Sequence, residues 1–241
     1  MDNKIKTKDF ISIQDLSLKE INEIMMLSKS LKEKLKKKIS HRLLEGKILA
    51  MILKKPSNRT RISFDVGMFH LGGRAINILP SELGVGSRED IKDVAATLSR
   101  YVNGVLLRTH DHNEVIDFAK YSTIPVINGL TSLLHPCQAL SDIFTVMEYK
   151  PSLTDIKFAY IVDGNNVLNS LMLVAAKMGI YLSVACPKEY GPNPDIIKIS
   201  REENNGNGTK IEITNDPKVA CNEADVVYTD VWVSMGDEVD P

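Results

Sequence analysis

Hydrophobic positions along the chain fall into two patterns, short apolar runs and longer segments with helical spacing. The run Ile48–Leu53 is flanked by lysines and has the length of a buried strand. Ser17 and Glu20 form a capping-box pattern, which predicts that a helix begins there. The other predicted strands are Ala75–Leu79, Val105–Arg108, Ile124–Ile127, Phe158–Val162, Leu182–Cys186, Ile211–Thr214 and Val226–Thr229. The later predicted helices are Asp90–Tyr101, Glu114–Tyr121, Pro136–Glu148, Val167–Met178, Pro194–Asn204 and Pro217–Asn222.

Alternating strands and helices predict βαβ units and therefore parallel sheets. The turn-rich segment 149–155 interrupts the alternation, so we place a domain boundary there. We expect one domain of residues 1–149 and another of residues 150–241. The expected fold class is α/β, with a parallel sheet in each domain and helices on both faces of each sheet. Because ligands bind such sheets at the C-terminal ends of the strands, the segments that follow the strands are the candidate functional segments.

Composition narrows the class of protein. The 241-residue chain is 43% hydrophobic and 25% charged, which excludes a disordered, collagen-like or disulfide-stapled protein. Its net charge of −1 argues against a surface for nucleic acid or anionic lipid, so we expect no nucleic-acid or membrane partner. The three cysteines, Cys137, Cys186 and Cys221, are far apart, which indicates reduced thiols. Without a signal-like N-terminus or an apolar stretch of about 20 residues, the sequence predicts a cytoplasmic protein.

The segment after the first strand has the features of a phosphate site. Ser57 is a natural N-cap, and Asn58, Arg59, Thr60 and Arg61 would form the first turn of the next helix. Backbone N–H groups, hydroxyls, guanidinium groups and the positive end of the helix dipole would then converge on one anion. The alternative is a solvated cap whose arginines form surface ion pairs.

Arg108 ends the third strand, at the side of the sheet where it can join the same anion. The alternative is an arginine that pairs with a local carboxylate. His110 and His112 follow it in the sequence, and we interpret both as surface residues.

A helix is predicted to open at His135-Pro-Cys-Gln138, after the fourth strand. Pro136 suits the first helical position, which leaves His135 at the cap and Gln138 one turn further on. A histidine at a helix N-terminus is biased toward its neutral form, which can donate a hydrogen bond to a carbonyl. The alternative is a cap histidine bonded to the backbone. No second histidine or carboxylate stands at ligand spacing, so the sequence predicts no metal site.

Two polar segments follow strands in the second half of the chain. Asp163–Asn166 stands where a dinucleotide-binding domain would carry GxGxxG, and its amide side chains indicate a polar small molecule instead of NAD. Asp230 follows the last strand and could pair with an amine, while Ser234 and the backbone of Met235 could bind a carboxylate. Trp232, between them, is equally consistent with a core or interface aromatic.

In this order and spacing, these motifs resemble the aspartate/ornithine carbamoyltransferase family, and within it the ornithine carbamoyltransferases. The matching segments are Ser57-x-Arg-Thr-Arg61, Arg108, His135-Pro-x-Gln138, Asp163-Gly-Asn-Asn166 and Asp230-x-x-x-Ser-Met-Gly236. The resemblance extends from about Phe10 to the end of the chain. It implies transfer of a carbamoyl group from carbamoyl phosphate to the δ-amine of ornithine, without a cofactor, in a homotrimer that serves arginine metabolism.

The resemblance also implies a role for each matching residue. The first domain would bind carbamoyl phosphate and the second would bind ornithine. The residues implied to hold carbamoyl phosphate are Ser57, Asn58, Arg59, Thr60, Arg108, His135 and Gln138. Those implied to bind ornithine are Asn166, Asp230, Ser234 and Met235. Thr60, Arg108 and His135 are the catalytic candidates, since they would stabilise the oxyanion that forms on the carbamoyl group.

The sequence departs from the family pattern in three places. Asn58 replaces a threonine, which would weaken phosphate binding only modestly because the backbone contacts survive. The loop 82–88, implied to reach a neighbouring subunit, lacks the expected glutamine or histidine and is assigned no role. The family continues past the position of Pro241, so we interpret the chain as C-terminally truncated, with an incomplete second domain. We therefore expect it to bind carbamoyl phosphate weakly and to turn over slowly.

Three other functions compete with this interpretation. A truncated, non-catalytic remnant would keep the phosphate site and bind only a ligand or a partner. An aspartate carbamoyltransferase would need extra cationic groups in the second domain, where the chain carries Asp230 and amides instead. A nucleotide-dependent dehydrogenase fits the βαβ pattern, but its glycine motif is missing from segment 163–166.

Overall fold

The structure, a computed structural model, describes residues 5–84, 89–150, 152–153, 156–203 and 209–230. The chain divides into two compact units, at the peptide bond between Ser132 and Leu133. The domain boundary predicted at residues 149 and 150 stays a prediction. Among the described residues, no helix combines the length and the apolar character needed to cross a membrane.

The first unit is a parallel sheet with the strand order β2-β1-β3-β4. Its strands are β1 (Ile48–Leu53), β2 (Arg74–Ile78), β3 (Gly104–Arg108) and β4 (Val126–Leu130). Its helices are α1 (Leu18–Lys36), α2 (Asn58–His70), α3 (Pro80–Leu83), α4 (Ile91–Tyr101) and α5 (His112–Tyr121), with a 3-10 turn at Ile13–Asp15.

Both faces of this sheet are covered, as the unbroken apolar runs of β1 and β3 predict. Successive side chains of a strand point to opposite faces. Ala50 and Ile52 therefore pack with Phe118 of α5, whereas Leu49 and Met51 pack with Met68 of α2 on the other side. The buried strands are thus apolar on both faces, which is the pattern of parallel sheets.

The N-terminal segment runs alongside β4. The backbone of Phe10 donates to the Val126 carbonyl and accepts from the Asn128 N–H, both at 2.8 Å. Asp9 Oδ1 accepts from the Val126 N–H at 2.9 Å, and the Asn128 side-chain amide donates to the Ile11 carbonyl at 2.9 Å. Residues 9–11 therefore pair with the outer side of the sheet.

The second unit repeats the architecture with the strand order β7-β6-β5-β8. Its strands are β5 (Lys157–Ile161), β6 (Tyr181–Ala185), β7 (Lys210–Thr214) and β8 (Val226–Tyr228). Its helices are α6 (Pro136–Tyr149), α7 (Asn166–Met178), α8 (Pro194–Glu203) and α9 (Pro217–Cys221), with a 3-10 turn at Lys188–Tyr190. Helices α7 and α9 pack on the sheet, and α7 also packs against α6 and α8.

The predicted fold class is confirmed, because each unit holds a four-stranded parallel sheet with helices. Two local predictions differ from the structure. Helix α3 was not predicted, because four residues are too few to show helical periodicity. His112 is not a loop residue: it is the first residue of α5, half-buried, and its Nδ1 lies 3.0 Å from Thr131 Oγ1. Burial lowers the pKa of this imidazole, with Asp111 and Asp15 opposing the effect.

Candidate active site

The topology of the first sheet brings the ends of β1 and β3 together. The chain leaves β1 toward β2 on one side and later returns to β3 on the other side. Leu53 pairs with Arg108, and the Lys54 N–H donates to the Arg108 carbonyl at 2.8 Å. Ligands of open parallel sheets bind at such a point, where neighbouring strands lead to opposite sides.

The N-terminus of α2 has the geometry of an anion site. Ser57 is its N-cap: the Ser57 Oγ accepts from the Thr60 N–H at 3.2 Å and donates to Thr60 Oγ1 at 3.0 Å. Asn58 and Arg59 begin the helix, so their backbone N–H groups have no intrahelical acceptor. These N–H groups and the positive helix end favour an anion in front of Ser57.

Arg108 joins this helix start. Its Nη1 donates to Thr60 Oγ1 at 3.3 Å, and the residue is only 4% exposed. Its Nε is buried and has no acceptor among the residues that the structure describes. Burial, and then the charge of Arg59, lowers the pKa of Arg108, yet a guanidinium in a protein stays protonated. One donor of this buried cation, the Nε, therefore lacks an acceptor among the described residues.

A neighbouring cation is already neutralised. Lys54, which follows β1, forms an ion pair with Glu114 of α5, and Thr109 Oγ1 donates to the other Glu114 oxygen at 2.6 Å. By contrast, neither Arg59 nor Arg61 forms an ion pair with a described residue, and both are exposed. The alternative prediction, in which these arginines form surface ion pairs, is therefore not seen among the described residues.

The first turn of α2 separates the roles of its side chains. Ser57 and Thr60 are half-buried, and Thr60 contacts both Ser57 and Arg108, whereas the side chain of Asn58 is exposed. A replacement at position 58 consequently leaves the backbone N–H in place.

In the second unit, the turn after β5 is shaped by amide caps and a close backbone approach. Asn165 Oδ1 accepts from the N–H groups of Val167 and Leu168 at 2.9 and 3.1 Å and from the Tyr160 hydroxyl at 3.1 Å. The Gly164 N–H donates to the Tyr190 carbonyl at 2.7 Å. A Cβ on Gly164 would collide with the backbone at residues 191 and 192, so glycine is required there by space.

The predicted site residues Asn166 and Asp230 follow β5 and β8, which are neighbouring strands of the second sheet. Asn166 is the first residue of α7 and is half-buried. Tyr160 of β5 stacks on Tyr228 of β8 with ring centroids 5.3 Å apart, and Asp230 follows that strand with an exposed side chain. The charge of Asp230 contributes to the raised pKa of Tyr160, after burial. The residues 231–241, which include Trp232, Ser234 and Met235, lie outside the described part of the chain.

The loop that leads to α6 is fixed by two residues of α7. His135 is the N-cap of α6, with Pro136 at the first helical position as predicted. The His135 N–H donates to Ser170 Oγ at 2.8 Å, and the Asn169 amide donates to the Leu133 carbonyl at 3.0 Å. The His135 side chain makes no capping hydrogen bond to the first turn of α6, and its role stays a prediction.

Gln138 lies on the first turn of α6 and contacts Asp142, a residue to which the sequence analysis assigned no role. Its Nε2 donates to Asp142 Oδ1 at 2.8 Å. The spacing of four residues puts these two side chains on the same face of a helix, and that spacing was the available signal. Tyr228, also missed, faces Asp142 from β8.

The structure thus groups the predicted residues by unit. Those brought together at the β1 and β3 ends are Ser57, Asn58, Arg59, Thr60 and Arg108. Those carried by the second unit are His135, Gln138, Asn166 and Asp230. Among the described residues, no three His, Cys, Asp or Glu side chains cluster as metal ligands do.

Comparison with known proteins gives a consistent result over both halves. The family described as "Aspartate/ornithine carbamoyltransferase, carbamoyl-P binding domain" matches residues 8–148, and its "Asp/Orn binding domain" matches residues 154–241. An ornithine carbamoyltransferase from Anoxybacillus flavithermus is 48% identical over 237 residues, which are 98% of this chain and 76% of that protein. One from Methanobrevibacter smithii is 48% identical over 95% of this chain and 75% of its own length.

Solved structures agree with the sequence matches. The ornithine carbamoyltransferase from Pyrococcus furiosus superposes with a TM-score of 0.93 at 45% identity, covering 97% of this chain and 74% of that chain. The anabolic enzyme from Campylobacter jejuni gives a TM-score of 0.87 at 37% identity, covering 96% and 75%. The chain therefore belongs to the aspartate/ornithine carbamoyltransferase family of transferases.

Proposed function

We propose that the protein transfers the carbamoyl group of carbamoyl phosphate to the δ-amine of ornithine and releases citrulline and phosphate. The observation that carries this proposal is the buried guanidinium of Arg108, whose Nε lacks an acceptor among the described residues and which bonds Thr60 at the start of α2. A phosphate oxygen would supply that acceptor. Its negative charge would also relieve the repulsion between Arg108 and Arg59.

The phosphate would be held by the first turn of α2. Ser57 and Thr60 offer hydroxyls, and Asn58 and Arg59 offer backbone N–H groups at the positive end of the helix. Arg108 would span the phosphate and the carbamoyl oxygen, since its planar group presents several donors in a fixed geometry. Binding of this kind orients carbamoyl phosphate before any chemistry takes place.

The reaction follows from that orientation. The neutral δ-amine of ornithine attacks the carbamoyl carbon, and the carbonyl electron pair moves to oxygen. Thr60, Arg108 and His135 would stabilise this oxyanion by hydrogen bonds. When the carbonyl re-forms, the carbon–oxygen bond to phosphate breaks, and the proton lost by the attacking nitrogen is taken up by the phosphate. Gln138 would bind the carbamoyl amine.

Ornithine is the proposed acceptor because the second unit offers the carboxylate of Asp230 to an ammonium group. Asp230 would take the α-ammonium, and Asn166, Ser234 and Met235 would position the rest of the amino acid. The relatives named ornithine carbamoyltransferase support this choice over aspartate, the other acceptor in the family name. An aspartate site would need cationic groups to bind two carboxylates. By the same resemblance we propose a cytoplasmic homotrimer.

The test is a citrulline assay on the purified 241-residue chain with carbamoyl phosphate and either ornithine or aspartate. Citrulline should form, and carbamoyl aspartate should not. Arg108→Met should abolish most of the rate, whereas Arg100→Met, the same change at an exposed residue of α4, should leave it unchanged. Carbamoylation of aspartate alone would identify the other branch of the family. Phosphate binding without any transfer would favour a non-catalytic protein.

A further inference from the structure

The pair formed by Gln138 and Asp142 has a chemistry that neither residue has alone. A glutamine side chain ends in a donor nitrogen and an acceptor oxygen, and a half-turn about its last bond exchanges them. An ionised carboxylate can only accept hydrogen bonds. Asp142 Oδ1 therefore holds the Gln138 Nε2 at 2.8 Å, and the amide oxygen is turned away from it.

Asp142 lies in surroundings that make its ionisation sensitive to pH. Burial raises its pKa from 3.8 to about 6, while the hydrogen bond from Gln138 and the nearby Tyr228 hydroxyl oppose the rise and the charge of Asp230 adds to it. Gln138 faces Asp142 from the same helix, Tyr228 faces it from β8, and Asp230 acts from the segment after that strand. A protonated Asp142 could donate to the Gln138 oxygen instead, which would reverse the amide.

We propose that Asp142 is a positioning residue whose carboxylate fixes the orientation of the Gln138 amide and so presents Oε1 as the acceptor for the carbamoyl NH₂ group. This inference rests on the proposed function, because it takes Gln138 as the residue that meets the carbamoyl amine. A protonated Asp142 can donate as well as accept, so it no longer fixes the amide, and the flipped amide would present a donor to the donor NH₂ group of carbamoyl phosphate. Gln138 is therefore held with Oε1 toward the carbamoyl amine most firmly when Asp142 is ionised.

The first experiment observes the amide directly. The side-chain ¹H–¹⁵N resonances of Gln138, assigned by their loss in Gln138→Ala, are followed between pH 5 and pH 8 in the full chain. They should titrate with a midpoint near the pKa of Asp142, which is about 6, and the titration should vanish in Asp142→Asn. Resonances that do not move, or that move equally in Asp142→Asn, would overturn the proposal.

The second experiment is a double-mutant cycle on citrulline formation. Asp142→Asn should lower kcat/KM for carbamoyl phosphate about tenfold at pH 7.5, roughly the effect of one hydrogen bond. At saturating ornithine, the wild type should lose more rate between pH 7 and pH 5.5 than Asp142→Asn does. Protonation of the δ-amine lowers both rates alike, so the extra loss in the wild type reports the protonation of Asp142. In the Gln138→Ala background the same substitution should change the rate less than about twofold, because it acts through Gln138.

The outcomes separate the two proposals. An equal effect of Asp142→Asn in both backgrounds would mean that the residue is structural, which overturns the inference. Failure of the wild-type chain to form citrulline, together with a normal titration of Gln138, would overturn the proposed function and leave the coupling between the two side chains established.

Discussion

Replacing Arg108 by methionine should change binding and stability in opposite directions. Methionine fills a similar volume without a charge. In the unliganded protein it removes a buried donor that lacks an acceptor and a cation that is repelled by Arg59. It also removes the hydrogen bond to Thr60. With phosphate bound, the same change removes a charged partner of the anion.

The magnitudes decide the direction of each effect. A buried unsatisfied donor costs about 1–3 kcal/mol, and one ordinary hydrogen bond contributes about 0.5–1.5 kcal/mol, so the unliganded variant should gain about 1 kcal/mol. That corresponds to a rise in Tm of about 2–4 °C for a protein of this size. Losing charged hydrogen bonds to phosphate, about 1.5–3 kcal/mol, weakens binding about 10- to 150-fold.

Thermal unfolding with and without phosphate measures both effects. At a phosphate concentration of about 100 Kd, binding stabilises the wild type by about 2.7 kcal/mol, and a variant that binds about 100-fold more weakly gains only about 0.4 kcal/mol. Arg100→Met serves as the control, because it makes the same change at an exposed site and should keep the full phosphate response. A full phosphate response in Arg108→Met, or a large loss of unliganded stability, would refute the account of this arginine.

Three further changes test other parts of the structure. Ser57→Asp should keep the cap of α2, since aspartate is a good N-cap, but should abolish the phosphate-induced rise in Tm by repulsion; unchanged phosphate binding would contradict the anion site. Gly164→Ala should destabilise the chain by about 1–3 kcal/mol in urea unfolding because its Cβ meets backbone, whereas Gly67→Ala, with open space in α2, should stabilise it by up to about 1 kcal/mol. Folding raises the pKa of Asp142 from 3.8 to about 6, so the folded chain binds the carboxyl proton more tightly than the unfolded chain does. The resulting stabilisation is fully present below pH 3.8 and is lost as the pH rises through 6. Asp142→Asn should remove up to about 3 kcal/mol of this pH-dependent loss, measured as the free energy of unfolding from pH 4 to pH 7.

The sequence was most informative where the local structure depends only on residues that are close together in the chain. Ser57 and its following turn could be read as a helix start because capping is local, and the apolar runs of β1 and β3 predicted that Arg108 would end beside it. The shared sheet edge then follows from parallel pairing alone. Nothing further was needed to bring Ser57, Thr60 and Arg108 together in the first unit.

The missed features depend on residues that are distant in sequence or too short to form a pattern. Gly164 is required because the backbone at residue 191 approaches it, and no local signal reports that approach. The bond from Lys54 to Glu114 spans sixty positions, so its neutralising effect was invisible. Asp142 was visible at four residues from Gln138, but its burial against Tyr228 comes from the second sheet.

The pairing of residues 9–11 with β4 also covers an edge of the first sheet at which a second copy of the chain could otherwise add. A strand with unpaired N–H and C=O groups at the border of a sheet is a template for another chain, and it promotes aggregation. Here the Val126 N–H, the Val126 carbonyl and the Asn128 N–H already form hydrogen bonds with Asp9 and Phe10. Deletion of residues 5–10 would therefore be expected to promote aggregation while leaving every proposed binding residue in place.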